Sequence, residues 1–381
     1  MLASTSLLRR CAPLAITPLL ASACVGSGDR PASEPARSPL AAASAASRVE
    51  PAPAVPEIVH GDHAEHMLRG ISLAGADFGE GQLPGSHGKD YVYPDAKYAV
   101  GYASPAYFRH KGMTVFRLPF RWERLQPERN KPFAAAELER LQTTVSDLRA
   151  LGAQVILDPH NYARYQNELI GSAAVPIADF ADFWGRLATL YKADQDVSFG
   201  LMNEPHDMPS EQWRDAANAA IVAIRKTGAK NLILVPGNGW SGAHSWTQNW
   251  YGTPNAELML TIEDPADNDA FEVHQYLDED SSGRADVCVS EQIGVERMKA
   301  FTDWAKLHKK RAFLGEFNAG ANLRCEAATQ HLLNFVESNP DVFLGWAWWA
   351  AGPWWGNSLR ILEPKAGLDA PQMRWLEPRL R

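Results

Sequence analysis

The apolar run that begins at Val197 ends in a polar turn, Leu201-Met202-Asn203-Glu204-Pro205. A second stretch, Arg311-Ala312-Phe313-Leu314-Gly315-Glu316, has the same form. A carboxylate at the exit of a buried strand is costly to desolvate and seldom lies there without a partner. The two glutamates therefore predict one site that uses a pair of carboxylates, which glycoside hydrolysis most directly requires. On these residues alone, two unrelated acids in surface loops are the alternative.

The chain around these two stretches alternates between strand-like apolar runs and helical patterns. Eight strands are predicted, at residues 68–74, 114–120, 154–157, 197–202, 231–235, 270–273, 311–316 and 342–349. Near-continuous apolar strands indicate a parallel sheet that is covered on both faces. Eight strand–helix units in about 320 residues favour a closed barrel. The predicted fold class is α/β, a (β/α)8 TIM barrel with a single catalytic domain at residues 60–381. Residues 239–269 interrupt the rhythm and are predicted to form a long loop with little helix.

Polar and aromatic residues recur at the predicted C-terminal ends of the strands. They are Arg117, His160, Asn161, Asn203, Glu204, His274, Tyr276, Glu316 and Trp349. In a barrel of this kind, that face carries the chemistry. Each residue also has a structural explanation: a rim ion pair for Arg117, hydrogen-bonded structural roles for the histidines, and core packing for Tyr276 and Trp349. Together these explanations require many coincidences at one end of one barrel.

The N-terminal segment is predicted to be an export signal rather than part of the fold. Arg9 and Arg10 precede a short apolar run, and Ala21-Ser22-Ala23-Cys24 ends it. The signal covers residues 1–24 and resembles a bacterial lipoprotein box, in which Cys24 would be acylated. Ala21 departs from the usual leucine of that box, and cleavage near Ala23 with release of a soluble protein is the alternative. The protein is therefore expected to be secreted, or an outer-membrane lipoprotein that contacts the membrane only through this anchor.

Composition restricts the partners of the exported part. Residues 25–59 are rich in Ala, Pro and Ser and predict a flexible linker. A net charge of -8 argues against nucleic acid as a partner. Cys288 and Cys325 are the cysteines beyond the signal, and an even pair in an exported protein predicts one disulfide. Two free buried thiols are the alternative, and a monomer is expected.

The motifs, taken in order, resemble those of glycoside hydrolase family 5, the cellulase family A, and most closely its bacterial and fungal endo-β-1,4-glucanases. The resemblance covers about residues 68–356. The matching stretches are Gly70-Ile71-Ser72-Leu73-Ala74-Gly75, Arg117-Leu118-Pro119-Phe120, Asp158-Pro159-His160-Asn161-Tyr162, Met202-Asn203-Glu204-Pro205-His206-Asp207, Val273-His274-Gln275-Tyr276-Leu277-Asp278, Gly315-Glu316 and Trp349-Ala350-Ala351-Gly352. It implies a (β/α)8 barrel, retention of anomeric configuration, no cofactor and no metal. Glu204 would be the acid/base and Glu316 the nucleophile. The cysteine pair also resembles a disulfide of the closest subgroup.

The resemblance implies substrate-binding roles for the other residues at the strand ends. Arg117 and Tyr276 would stabilise the nucleophile anion, Asn203 would bind the sugar 2-hydroxyl, and His160, Asn161 and His274 would orient the reactants. Trp349 is expected to stack under the sugar, on its spacing to Gly352, although Trp346 and Trp348 compete for that position. Trp240, Trp354 and Trp355 would extend the platform or pack structurally.

Three other functions remain open at the level of sequence. A metal hydrolase would place two histidines one residue apart on an early strand, and no such pair occurs there. A non-catalytic sugar-binding barrel would tend to lose one carboxylate, and both are present. The same mechanism on mannan, xyloglucan or mixed-linkage glucan is an alternative to cellulose, because specificity depends on the loops.

Overall fold

Eight parallel strands close into a barrel at the centre of the fold. The computed structural model describes residues 67–94, 105–352, 354–356 and 358–381. The strands in this part of the chain are β1 (Leu68–Leu73), β2 (Val115–Phe120), β3 (Gln154–Pro159), β4 (Arg164–Tyr165), β5 (Glu168–Leu169), β6 (Val197–Gly200), β7 (Ile233–Pro236), β8 (Asp269–His274), β9 (Ala312–Glu316) and β10 (Phe343–Ala351). The barrel order is β1-β10-β9-β8-β7-β6-β3-β2, and β4 with β5 forms a separate antiparallel hairpin that the sequence did not predict. The predicted (β/α)8 TIM barrel is confirmed.

Helices occupy most of the connections between the barrel strands. Their bounds are α1 (Pro105–His110), α2 (Trp122–Leu125), α3 (Ala135–Ala150), α4 (Ile177–Tyr191), α5 (Ser210–Lys226), α6 (Asn255–Leu258), α7 (Ile293–Leu307), α8 (Leu323–Glu337) and α9 (Met373–Leu376). The connection predicted to hold little helix contains only the short α6 and one 3-10 turn, Met259–Thr261. Helix α8 begins at Leu323, three residues before its predicted start at Glu326. Its first turn is capped by the side chain of Asn322, which accepts a hydrogen bond from the backbone of Cys325.

The barrel interior changes from apolar to charged along the strands. One interior layer is apolar and consists of Val115, Ile156, Leu234, Ala270, Phe313 and Ala347. Side chains on one face of a strand recur every second residue, so the next layer lies two positions further along. On β2, β3 and β8 that layer contains Arg117, Asp158 and Glu272, none of which is more than 1% exposed. A charged layer therefore separates the apolar plug from the C-terminal mouth of the barrel.

An irregularity in β9 turns Glu316 towards the barrel interior. The pairing passes from Val273 opposite Leu314 to His274 opposite Glu316, so Gly315 is an extra residue on β9. A bulge of this kind re-aims the side chain that follows it. Glu316 consequently contacts the interior charges rather than the surrounding helices.

Cys288 and Cys325 form the predicted disulfide, with their Cα atoms 5.3 Å apart. The bond joins the loop after β8 to the first turn of α8. Within that loop, the Asp278 carboxylate accepts hydrogen bonds from the backbone of residues 283–285. The loop therefore has both a covalent and a hydrogen-bonded brace.

Several predictions concern residues that the structure does not describe. The signal at residues 1–24 with Cys24, the linker at 25–59, and residue 104, the predicted start of a helix at 104–111, lie outside the described ranges. In the part of the chain that is described, no helix has the length and apolar character needed to cross a membrane.

Candidate active site

A cleft of about 350 Å³ opens at the C-terminal ends of the barrel strands. Five of the residues predicted for the site line it: His160, Glu204, Tyr276, Glu316 and Trp349. Three more lie directly beneath them and contact one or both glutamates or their partners: Arg117, Asn203 and His274. The polar residues predicted from separate stretches of sequence thus converge on one place.

Glu316 is surrounded by three groups at the end of β9. Arg117 Nη1 lies 2.8 Å from its Oε1, and the Tyr276 hydroxyl donates to its Oε2 over 2.6 Å. Nδ1 of His274 lies 3.6 Å from the same Oε2. Burial raises the pKa of Glu316 to about 7, while the charges of His274 and Arg117 act in the opposite direction. The result is a poorly hydrated carboxylate fixed in one orientation, which suits a nucleophile.

Glu204 lies in the turn after β6, beyond the end of the strand at Gly200. The indole of Trp184 donates to the carbonyl of Leu201 over 3.1 Å and holds the start of this turn. Glu204 itself has a φ of 42°, a left-handed conformation that is uncommon for a residue with a side chain. Its side chain is 16% exposed, and its Oε1 lies 2.8 Å from Nδ1 of His274. Glu204 therefore reaches both the cleft and solvent, as a group that exchanges protons must.

His274 connects the two glutamates to the charged layer of the barrel. Its Nδ1 faces Glu204, and its Nε2 lies 3.1 Å from Oε1 of Glu272. Burial by itself lowers the pKa of His274, but the charge of Glu316 and the hydrogen bonds to Glu204 and Glu272 outweigh it and raise the pKa to about 10. The ring is therefore an imidazolium at neutral pH, and both of its nitrogens donate.

The two glutamates are close enough for a retaining reaction. One oxygen of Glu204, one of Glu316 and one nitrogen of His274 all lie within 4.8 Å of one another. Retaining glycosidases hold their carboxyl groups roughly 5–5.5 Å apart, and inverting ones roughly 6.5–9.5 Å.

Glu204, Glu316 and His274 are also close enough together to be a geometric candidate for a metal-ion site. Because an imidazolium has no free lone pair, a metal would first have to displace its proton.

Two buried carboxylates of the site were not predicted as site residues. Asp158 Oδ2 lies 3.0 Å from Arg117 Nη1, and Glu272 Oε1 lies 2.9 Å from Arg117 Nε. A signal was available in the sequence: Asp158 and Glu272 precede His160 and His274 by two residues. That spacing on a strand places each acid on the same face as its histidine.

His160 and Trp349 form a stacked pair on the wall of the cleft. Their ring centroids are 5.0 Å apart and their planes differ by 13°. Nδ1 of His160 lies 2.8 Å from Oδ2 of Asp158, and burial lowers the pKa of this histidine to about 3, so the ring is neutral. Trp346 and Trp348 are fully buried, whereas Trp349 is partly exposed. Of these three tryptophans on β10, Trp349 is the one that faces the cleft.

Asn161 does not reach the cleft, contrary to its expected contact with substrate. Its Oδ1 accepts a hydrogen bond from the backbone of Trp122 over 2.8 Å, and its Nδ2 donates to Glu123 over 2.6 Å. Strand β3 ends at Pro159 and the chain turns there, with the backbone N–H of Asn161 donating to the Pro159 carbonyl over 2.9 Å, so the neighbour of His160 points away from the cleft. Asn161 instead anchors the start of α2.

The remaining aromatic candidates take different positions around the cleft. Trp240 is 40% exposed and lies outside the cleft lining, stacked on His206 with centroids 4.6 Å apart. Trp355 lines the cleft and stands edge-on to Trp349. Trp354 is 39% exposed and packs against Phe78. Trp355 therefore extends the aromatic wall beside Trp349, whereas Trp240 does not reach the cleft.

A parallel eight-stranded barrel with two close glutamates at its mouth defines a glycoside hydrolase of the barrel type. A family model described as cellulase (glycosyl hydrolase family 5) matches residues 82–352. The chain belongs to glycoside hydrolase family 5, a family of retaining enzymes.

Individual relatives are similar over nearly all of the barrel. Endo-beta-1,4-glucanase A of Emericella nidulans is 41% identical over 301 residues, which are 78% of this chain and 87% of the relative. The solved structure of an endo-beta-1,4-glucanase from Xanthomonas axonopodis pv. citri is 47% identical with a TM-score of 0.80, covering 83% of this chain and 99% of the other. Pseudomonas stutzeri endoglucanase Cel5A, solved in complex with cellobiose, is 35% identical with a TM-score of 0.75, covering 82% and 92%.

Proposed function

We propose that the protein is an exported endo-β-1,4-glucanase that hydrolyses internal bonds of cellulose chains with retention of configuration. The proposal rests on the different surroundings of the two glutamates. Glu316 is held by the donors Arg117 and Tyr276, whereas the side chain of Glu204 is partly exposed to solvent. The two carboxyl groups are as close together as a retaining mechanism requires. The names of the relatives support β-1,4-glucan as the substrate.

In the first step, a Glu316 oxygen attacks the anomeric carbon. The bond from that carbon to the glycosidic oxygen breaks, and its electron pair leaves with the departing chain. Glu204 gives its proton to that oxygen, so the chain departs as a neutral alcohol. Arg117 and Tyr276 hold Glu316 in line for the attack, which reduces the entropy cost of reaching the transition state.

In the second step, the ionised Glu204 takes a proton from water. The water oxygen bonds to the anomeric carbon as the ester bond to Glu316 breaks, and the second inversion restores the starting configuration. The imidazolium of His274 donates to Glu204 while that residue is charged. Proton transfer of this kind contributes about 10²–10⁴-fold in rate.

Asn203 and Trp349 are proposed to bind the sugar at the point of cleavage. Arg117 Nη2 donates to Asn203 Oδ1 over 2.8 Å, which fixes the orientation of the amide. The other amide atom, Nδ2, has no hydrogen-bond partner among the described residues and remains as a donor for the sugar 2-hydroxyl. The partly exposed face of Trp349 offers an apolar surface for the sugar ring.

The substrate class is tested by a reducing-end assay on soluble cellulose, mannan, xyloglucan and mixed-linkage glucan. We expect soluble cellulose to be cleaved well, with viscosity falling early because internal bonds are cut. A higher kcat/KM on mannan or xyloglucan would replace cellulose with that polymer. Glu316→Gln is the matched control, and it should be inactive on every polymer if the activity belongs to this cleft.

Export is tested by mass spectrometry of the mature N-terminus. An acylated Cys24 supports a lipoprotein, whereas a free start beyond residue 24 supports a soluble secreted enzyme. A mature protein that begins at Met1 would rule out cleavage of the signal.

A further inference from the structure

Glu272 is a buried carboxylate for which the barrel makes room. It is 1% exposed and does not line the cleft. A Cβ at Gly315, on the neighbouring strand β9, would lie 2.3 Å from its Oε1. The absence of a side chain at Gly315 thus accommodates the charged group, which would be costly to bury without partners.

The partners of Glu272 are the two cations that contact the glutamates of the cleft. Its Oε1 lies 2.9 Å from Arg117 Nε and 3.1 Å from His274 Nε2. Burial acts to raise the pKa of Glu272, but Arg117 and the hydrogen bond from His274 outweigh it and lower the pKa below its usual range. Glu272 is therefore ionised and can only accept hydrogen bonds.

His274 faces an acceptor at each ring nitrogen. A neutral imidazole carries a single N–H and could donate to Glu272 or to Glu204, but not to both. Four acids interact electrostatically with the ring: Glu204 from the turn after β6, Glu316 from β9, Asp158 from β3 and Glu272 from its own strand. Arg117 from β2 contacts the same Glu272 oxygen as the ring does. Glu272 is the one that lies against Nε2.

We propose that Glu272 is a positioning residue that keeps His274 an imidazolium, so that its Nδ1–H always points to the acid/base Glu204. The inference rests on the proposed function only for the kinetic consequence. With Glu272 in place, His274 stabilises Glu204 each time it has lost its proton. Without that charge, the ring can lose its own proton and turn its lone pair towards Glu204, where two acceptors would then face each other.

The direct test is the titration of His274 by NMR of the isotopically labelled full chain, which needs no substrate. In the wild type, we expect the ring to stay doubly protonated up to at least pH 9. In Glu272→Gln, it should titrate about 1–3 pH units lower, the effect of losing one adjacent opposite charge. A wild-type His274 that is neutral at pH 7 would overturn the proposal whether or not the variant folds.

The matched variant is Asp158→Asn, which removes the other buried carboxylate beside Arg117 but no acceptor of His274. With an aryl β-cellobioside whose second step limits turnover, Glu272→Gln should move the alkaline limb of kcat to lower pH by the same amount as the NMR titration. Asp158→Asn should shift that limb less, and Glu272→Asp should keep the limb close to its wild-type position.

If Glu272→Gln lowered kcat equally at every pH, with no change in the titration of His274, Glu272 would have only a structural role. If the wild type cleaved none of the glucans while the titrations behaved as expected, the proposed function would fail and the inference would stand.

Discussion

The two glutamates of the cleft have the same side chain and opposite surroundings. Glu316 ends a barrel strand, is 3% exposed and is held by Arg117 and Tyr276. Glu204 lies in a turn, its side chain is 16% exposed, and His274 is the side chain that bonds it among the described residues. The difference shows how position in a barrel divides roles within a pair of carboxylates: a fixed, dry group suits attack, and a hydrated one suits proton exchange.

The largest expected effect separates the two glutamates by their dependence on the leaving group. Glu316→Gln removes the attacking oxygen, so kcat/KM should fall by at least about 10⁴-fold on soluble cellulose and on an aryl β-cellobioside alike. For Glu204→Ala, kcat/KM on soluble cellulose should fall about 10²–10⁴-fold. Its first step should stay near the wild-type rate on the aryl substrate, because that leaving group needs no proton. Stopped-flow measurement of phenol release gives the rate of this step. Equal losses of this rate in both variants would contradict the proposed roles of the two glutamates.

The second prediction concerns the Cys288–Cys325 disulfide, which lies on the side of the cleft that carries Glu316. The disulfide closes a loop between residues 37 apart, so Cys288→Ser with Cys325→Ser should lower the free energy of unfolding by about 3–4 kcal/mol. Guanidinium denaturation measures this loss. Hydrogen exchange should accelerate at residues 277–289 and change little at 201–209. Faster exchange around Glu204 instead would show that the disulfide stabilises both sides of the cleft.

Tyr276→Phe tests the donor to the nucleophile. A hydrogen bond to a charged group contributes about 1.5–3 kcal/mol, so kcat/KM should fall about 10- to 100-fold. Tyr251→Phe is the control, because the Tyr251 hydroxyl bonds the carboxylate of Asp207 at the surface. A loss no larger than that of the control would mean that the Tyr276 hydroxyl is not needed to position Glu316.

Glu363 is a further buried acid, and its pKa shows the effect of burial on a glutamate with fewer partners than Glu316. Its Oε2 accepts the backbone N–H of Gly352, and its Oε1 has no partner among the described residues. Burial raises its pKa to about 7, so its protonated form is favoured in the folded state. The corresponding stability is complete below the unfolded pKa of about 4.3 and is lost as pH rises through about 7.

Glu363→Gln should therefore gain stability over the wild type as pH rises. The difference in free energy of unfolding between the variant and the wild type should grow by about 1–3 kcal/mol from pH 5 to pH 8. Urea denaturation at the two pH values measures it, with Glu139→Gln on the exposed face of α3 as the control. A difference that does not change with pH would show that Glu363 is ionised without cost.

Much of the site was predictable because strand ends can be recognised from apolar runs. The turn with Glu204 and the stretch to Glu316 each follow such a run, and a closed barrel brings their ends together. The direction of individual side chains was harder to predict. Asn161 points away from the cleft because the chain turns after Pro159, and Glu316 points inward only because of the irregularity at Gly315.

The charged layer was missed for a different reason. Asp158 and Glu272 read as ordinary residues within apolar strands, and only the alternation of side chains places them beneath the histidines. Their partner, Arg117, lies on β2, which pairs with the strand of Asp158 but not with that of Glu272, so the Arg117–Glu272 ion pair crosses the barrel and depends on its closure. The hairpin of β4 and β5 was also missed, since two-residue strands carry too little pattern to recognise.

The division of roles between Glu316 and Glu204 is tested most directly by the anomeric configuration of an azide product, read by NMR. An aryl β-cellobioside with excess azide is given to Glu204→Ala, in which the lost side chain leaves room for the anion and azide needs no base. We expect a β-cellobiosyl azide, formed by two inversions through the ester on Glu316. Glu316→Ala, if azide rescues it, should give the α-azide by a single inversion. A β-azide from Glu316→Ala together with an α-azide from Glu204→Ala would contradict the account and exchange the two residues.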